Sequence, residues 1–153
     1  MVMKTLVLGL GNPILSDDGV GFYVAEELKN RLDGLDVSIE QASTGGLSIL
    51  DLLAGYDKAI IIDAVKTGRA KAGQVGRLKP EAFSATLHAS SPHDLNFVTA
   101  LELGRKLGMA LPEEIDIVTV EVEDVTTFSE KCTPKVEKAK HIAVNTVMQE
   151  LDR

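Results

Sequence analysis

Apolar and polar positions follow two rhythms along the chain. Lys4-Thr-Leu-Val-Leu-Gly-Leu10 is a β-branched and leucine run ending at glycine, and it predicts a buried strand. Gly19 to Arg31 places Val20, Val24, Leu28 and then Leu32 at a spacing of four, which predicts a helix. Asp36 to Gln41 alternates, with Val37 and Ile39 on one face, as an outer strand would. Leu47, Leu50 and Leu53-Ala54 form a second helical stripe, closed by Gly55. Lys58-Ala-Ile-Ile-Ile-Asp63 is the strongest strand pattern, because an unbroken apolar run suits a strand covered on both faces. Gln74 to Leu78 reads as another strand, Asp94 to Leu107 as a helix, and Ile115 to Val122 as a strand. Thr133 to Leu151 closes the sequence as a helix with Pro134 in its first turn.

Strands alternating with helices imply an α/β fold: a three-layer sandwich with a mainly parallel twisted sheet of about five strands and helices on both faces. No repeat or linker divides residues 1–153, so a single domain is expected. Ligands in such sheets bind beyond the carboxyl ends of the strands. That rule selects the loops after Leu10 and after Ile62, and the loop before Asp94.

Composition narrows the partners. The apolar fraction of 44% and charged fraction of 25% belong to an ordinary globular protein. A net charge of −7 disfavours nucleic acid and anionic membrane surfaces but tolerates a metal cation or a basic protein. The one cysteine, Cys132, excludes an internal disulfide and reads as structural. The apolar run Thr5 to Leu10 is short for a signal peptide, and no stretch reaches the roughly 18–20 apolar residues of a membrane span. A cytoplasmic location is expected.

The candidate chemistry sits in the selected loops. Gly9-Leu-Gly-Asn-Pro-Ile-Leu-Ser-Asp-Asp-Gly-Val-Gly21 opens like a dinucleotide fingerprint, but Ile14 occupies the third glycine position. Asp17 and Asp18 would also repel a pyrophosphate at the following helix. One reading of the acidic pair is structural, with Asp17 or Ser16 capping the helix and Asp18 favouring its dipole. Asp63 ends the most apolar strand, where an uncompensated carboxylate would carry a large desolvation cost. His93, in Ser90-Ser-Pro-His-Asp94, follows a proline that restrains its loop. His88 and His141 lie at no strand end that bears a motif. Together Asp18, Asp63 and His93 would form an incomplete oxygen and nitrogen shell for a divalent metal such as nickel or zinc. His-Glu-x-x-His and Gly-x-Ser-x-Gly motifs are absent.

Gly11-Asn-Pro-Ile-Leu-Ser-Asp-Asp-Gly-Val-Gly21 resembles the signature of the hydrogenase maturation endopeptidases. Thr44-Gly-Gly46, Ile61-Ile-Asp-Ala64 and Ser91-Pro-His-Asp-Leu95 resemble three further family segments in order, over nearly the whole span. The resemblance implies that Asp18, Asp63 and His93 are metal-contacting and catalytic residues, and that Asp17 is not a ligand. Some members have glutamate where Asp18 stands, and Val120 to Pro134 departs most from the family pattern. The implied activity is one endoproteolytic cut. It removes a C-terminal extension from a [NiFe]-hydrogenase large-subunit precursor after nickel insertion, with the substrate's nickel as the signal. A water activated by the metal or by one carboxylate would then attack the peptide carbonyl.

Two rival functions use the same residues. A nickel-binding maturation chaperone needs identical ligands, although three without a thiolate are few for tight binding. A phosphoacceptor signalling domain would also place an acidic pair and an aspartate at the sheet's edge. It requires a lysine at the end of the last strand, where Val120-Glu-Val-Glu-Asp124 stands instead.

Overall fold

A computed structural model describes residues 3–32, 36–43, 48–83 and 97–152. The strands are β1 (Thr5–Leu10), β2 (Val37–Ala42), β3 (Lys58–Val65), β4 (Val75–Leu78) and β5 (Glu114–Glu121). They form one sheet in the order β2-β1-β3-β5-β4. All neighbours are parallel except β4, which runs antiparallel to β5 at the edge. The helices are α1 (Val20–Arg31), α2 (Ser48–Leu53), α3 (Pro80–Phe83), α4 (Phe97–Lys106) and α5 (Pro134–Leu151). The expected α/β architecture is present, with two corrections of detail. The expected end of β3 at Asp63 moves on to Val65, because β5 goes on pairing with it through Val65↔Glu121. The four-residue helix α3 is too short to leave a periodic signature, and the pattern missed it. Leu47 and Asp94, expected in helices, lie outside the described residues.

Alternation along the three central strands divides the core into two layers. Leu6, Leu8, Ile61 and Ile117 face α2 and α4 in one cluster. Val7, Ile60, Ile62 and Val118 face α1 and α5 in the other. Every residue of β3 is buried, which explains why its sequence is apolar without alternation. Asp63 belongs by register to the face of Ile61 and Val65, the layer of α2 and α4.

Chain order and sheet order together place a switch point. After β1 the chain moves outward to β2, then returns to the other side of β1 to form β3. The β1–β3 pairing ends at Gly9↔Ile62, while β3 continues alone against β5. A crevice therefore opens between the carboxyl ends of β1 and β3, the position at which open α/β sheets bind ligands.

Candidate active site

The glycines after β1 serve close packing rather than phosphate binding. A Cβ on Gly21 would lie 2.4 Å from the carbonyl oxygens of both Leu10 and Ile62. One on Gly9 would lie 2.3 Å from the Gly21 oxygen. Helix α1 thus starts in direct backbone contact with the ends of the two strands that flank the crevice. Gly11 adopts φ +139°, and a Cβ there would meet the Asp18 carbonyl oxygen at 2.0 Å. The loop between them folds back on itself: the Asn12 side chain accepts from Ile14 N at 3.1 Å, and Tyr23 donates its hydroxyl to the Pro13 carbonyl. A 3-10 turn, Ser16–Gly19, then delivers the acidic pair, with Ser16 at φ +48°.

The two aspartates of that turn have separate roles. Asp17 is fully buried and satisfied by two distant segments. Its oxygens accept from Thr133 N at 2.7 Å and from the Thr133 hydroxyl at 2.9 and 3.0 Å. They also accept from Glu123 N at 3.2 Å and Asp124 N at 3.1 Å. The expectation that Asp17 or Ser16 caps its own helix is corrected, since neither that turn nor α1 has a side-chain cap. Asp17 instead ties down the amino end of α5, where a carboxylate also complements the helix dipole.

Asp18 is as deeply buried but differently supplied. Its Oδ2 accepts from Asn12 N at 3.1 Å, while Oδ1 has no hydrogen-bond partner among the described residues. Burial pushes its pKa from 3.8 up to about 6; the Asn12 amide opposes the rise, and the charge of Asp63 adds to it. Asp63 is also fully buried, and its Oδ1 accepts from Ala64 N at 2.9 Å. Two buried carboxylates thus feel one another, and one of them keeps an oxygen unfilled among the described residues, a costly arrangement without compensating charge. Asp18 and Asp63 are therefore brought together at the crevice. His93, with His88 and Thr44-Gly-Gly46, lies outside the described residues. No group of three or more His, Cys, Asp or Glu side chains is gathered for a metal among the described residues.

Two neighbours complete the setting. Glu121, at the end of β5 where a phosphoacceptor domain would need lysine, is buried and committed to the loop after β3. It accepts from Thr67 N at 2.8 Å, Gly68 N at 3.2 Å and the Thr67 hydroxyl at 2.7 Å. Sequence reasoning passed over Glu121, whose alternation with Val120 and Val122 was the available signal. Cys132 is held as a neutral thiol, its pKa raised to about 11 chiefly by burial, with Sγ 3.9 Å from the Ser16 carbonyl.

Known proteins resemble this chain in sequence and in fold. The family model described as hydrogenase maturation protease matches residues 22–150. The chain belongs to that family. It is accordingly a peptidase. It is 31% identical over 151 residues to the hydrogenase 2 maturation protease of Escherichia coli, covering 97% of this chain and 91% of that one. It is 25% identical to the hydrogenase expression/formation protein HupD of Thiocapsa roseopersicina, over 97% of this chain and 67% of that one. Among solved structures, the hydrogenase-maturating endopeptidase HybD from E. coli superposes with a TM-score of 0.81 at 29% identity. That match covers 98% of this chain and 93% of the other. No helix among the described residues is long and apolar enough to cross a membrane.

Proposed function

We propose that this member of the family removes the C-terminal extension of a nickel-loaded [NiFe]-hydrogenase large-subunit precursor, and that the precursor's nickel is what the site recognises. The observation that carries this reading is the unfilled Oδ1 of Asp18, buried at the switch point beside Asp63. A carboxylate oxygen that has no donor among the described residues suits a cation that arrives with the substrate. Asp18 and Asp63 would each present oxygen to the nickel, and His93 would supply the imidazole nitrogen. Holding the metal holds the peptide next to it, so that water adds across one bond in a fixed geometry. The rim suits a protein substrate. Ile14 and Phe128 are exposed on two loops joined by backbone hydrogen bonds, and Phe128 is 82% exposed. The nickel is then a feature of the substrate, and the reaction takes place in the cytoplasm where the precursor is assembled.

The test is the intact mass of a cognate large-subunit precursor incubated with this protein, nickel-loaded and nickel-free in parallel. Loss of one C-terminal peptide from the loaded form alone is the expected result. Asp63→Asn should reduce that cleavage at least about 100-fold, the scale of losing a group that positions the reacting bond. Cleavage of both precursor forms at equal rates would remove nickel recognition. An intact precursor that nevertheless transfers nickel to or from the protein would make it a chaperone.

A further inference from the structure

Two exposed apolar side chains meet beside the crevice. Phe128 is the most exposed large apolar residue among those described, at 82%, and Ile14 is 48% exposed. Their loops are joined by a short parallel ladder at Leu15↔Ser129. Ser129 N donates to the Ile14 carbonyl and Ser16 N to the Ser129 carbonyl, each at 2.9 Å. Side chains alternate along extended backbone, so Ile14 and Phe128, each one place before a paired residue, emerge together on one side. The paired residues Leu15 and Ser129 are half-buried, as that alternation requires. Ile14 and Phe128 therefore form one apolar ridge.

The ridge is held in place and continuous with the site. Asp124 Oδ1 accepts from Thr126 N and Thr127 N at 3.1 Å, which fixes the turn that leads to Phe128. Asp17 N donates to the Asp124 carbonyl at 2.9 Å, so the same loop is tied to the acidic pair. Ile14 belongs to the segment that delivers Asp18 to the crevice. A peptidase brings its protein substrate against the crevice, so the surface continuous with the rim meets that protein. A ring on backbone already ordered gives up little conformational freedom when it binds. Shape decides the kind of contact. Flexible peptides dock in grooves or along strand edges, whereas a projecting ring gains contact by entering a hollow on a folded surface.

We propose that Phe128, with Ile14 beside it, docks into an apolar hollow on the folded body of the large-subunit precursor, outside the segment that is removed, and does so with or without nickel in the precursor. The inference rests on the precursor reading above and divides recognition in two. The ridge grips the protein, and the crevice reads the metal. A contact made equally before and during the cut lowers KM and leaves kcat unchanged. Phe128 is then a docking residue that selects the substrate and takes no part in the bond-breaking step.

The test measures binding of the full chain to the nickel-free cognate precursor by biolayer interferometry, since that form offers the crevice no metal. Phe128→Ser should weaken binding about tenfold or more, the scale of burying one aromatic ring, while Phe128→Leu should stay within about threefold of wild type. Leu107→Ser is the matched control: Leu107 is 72% exposed just past α4, before β5 begins at the far end of the sheet, and its loss should change nothing. Little of the Phe128 ring is buried, so thermal unfolding of Phe128→Ser should match wild type. With nickel-loaded precursor, Phe128→Ser should raise KM about tenfold and keep kcat within about twofold. No binding by the wild type, undiminished binding by Phe128→Ser, or a loss confined to kcat would overturn the proposal. So would a synthetic peptide of the extension alone whose binding depends on Phe128. If the wild type cleaves the loaded precursor but the binding results are negative, the docking assignment fails and the peptidase reading stands. If the precursor stays intact while Phe128→Ser weakens binding, the peptidase reading fails and the docking assignment stands.

Discussion

Adjacent residues of one chemical type can be given opposite work by their surroundings. Asp17 accepts hydrogen bonds from Thr133, Glu123 and Asp124, whereas Asp18 keeps an oxygen with no partner among the described residues. The pKa of Asp18 has a consequence for stability. Its value of about 6 in the fold exceeds the 3.8 of a free side chain, so between these pH values the folded state holds a proton that the unfolded chain has released. Stability therefore falls as pH rises through that window and stays lowered above it. Asp18→Asn keeps the acceptor for Asn12 N but carries no charge. The variant is expected to be about 2 kcal/mol more stable than wild type at pH 7, with the difference gone near pH 3, as urea unfolding would measure. If Asp18 has the role proposed for it, kcat/KM for precursor cleavage is expected to decline as pH drops below about 6, because a protonated carboxylate is a poor ligand.

At the scale of elements, the site is assembled by cross-ties between loops that are distant in sequence. Asp17 joins the turn after β1 to the segment after β5 and to the start of α5, and Glu121 fixes the loop after β3. Asp17→Ala would remove the acceptor of three part-buried amides and is expected to cost about 2–4 kcal/mol. Hydrogen exchange should quicken first at the amides of Glu123, Asp124 and Thr133, ahead of those in β3. Uniform acceleration across the sheet would instead mark Asp17 as part of the global core. These ties were illegible in the sequence. Hydrogen bonds spanning more than 100 positions leave no periodic trace, so Asp17 looked like a local helix cap.

Across the whole molecule, the crevice beside Asp63 and the anchoring contacts of Lys58 occupy opposite ends of the sheet. At the amino end of β3, the buried Lys58 donates to the Glu150 carbonyl at 2.7 Å and lies 3.8 Å from Glu114, tying the last turn of α5 to the strands. Lys58→Met removes that charged hydrogen bond and is expected to lower stability by about 2 kcal/mol. Because the crevice is at the other end, cleavage of the precursor by this variant should stay within about twofold of wild type under conditions where both are folded. A tenfold loss of kcat/KM would contradict the separation of the two ends.

The sequence alone determined the α/β class, the order of the principal elements and the segments that carry Asp18 and Asp63. Burial demands particular residue types at particular periods, and glycines at close contacts admit no substitute. It also supplied the family resemblance that the relatives bear out. Tertiary structure alone decided that β1 and β3 are neighbours around a switch point, and that Asp17 is a tie while Asp18 keeps an oxygen unfilled among the described residues. Each of these depends on which distant segments meet, and so on the desolvation and hydrogen bonding of a carboxylate or cation after the chain has closed around it.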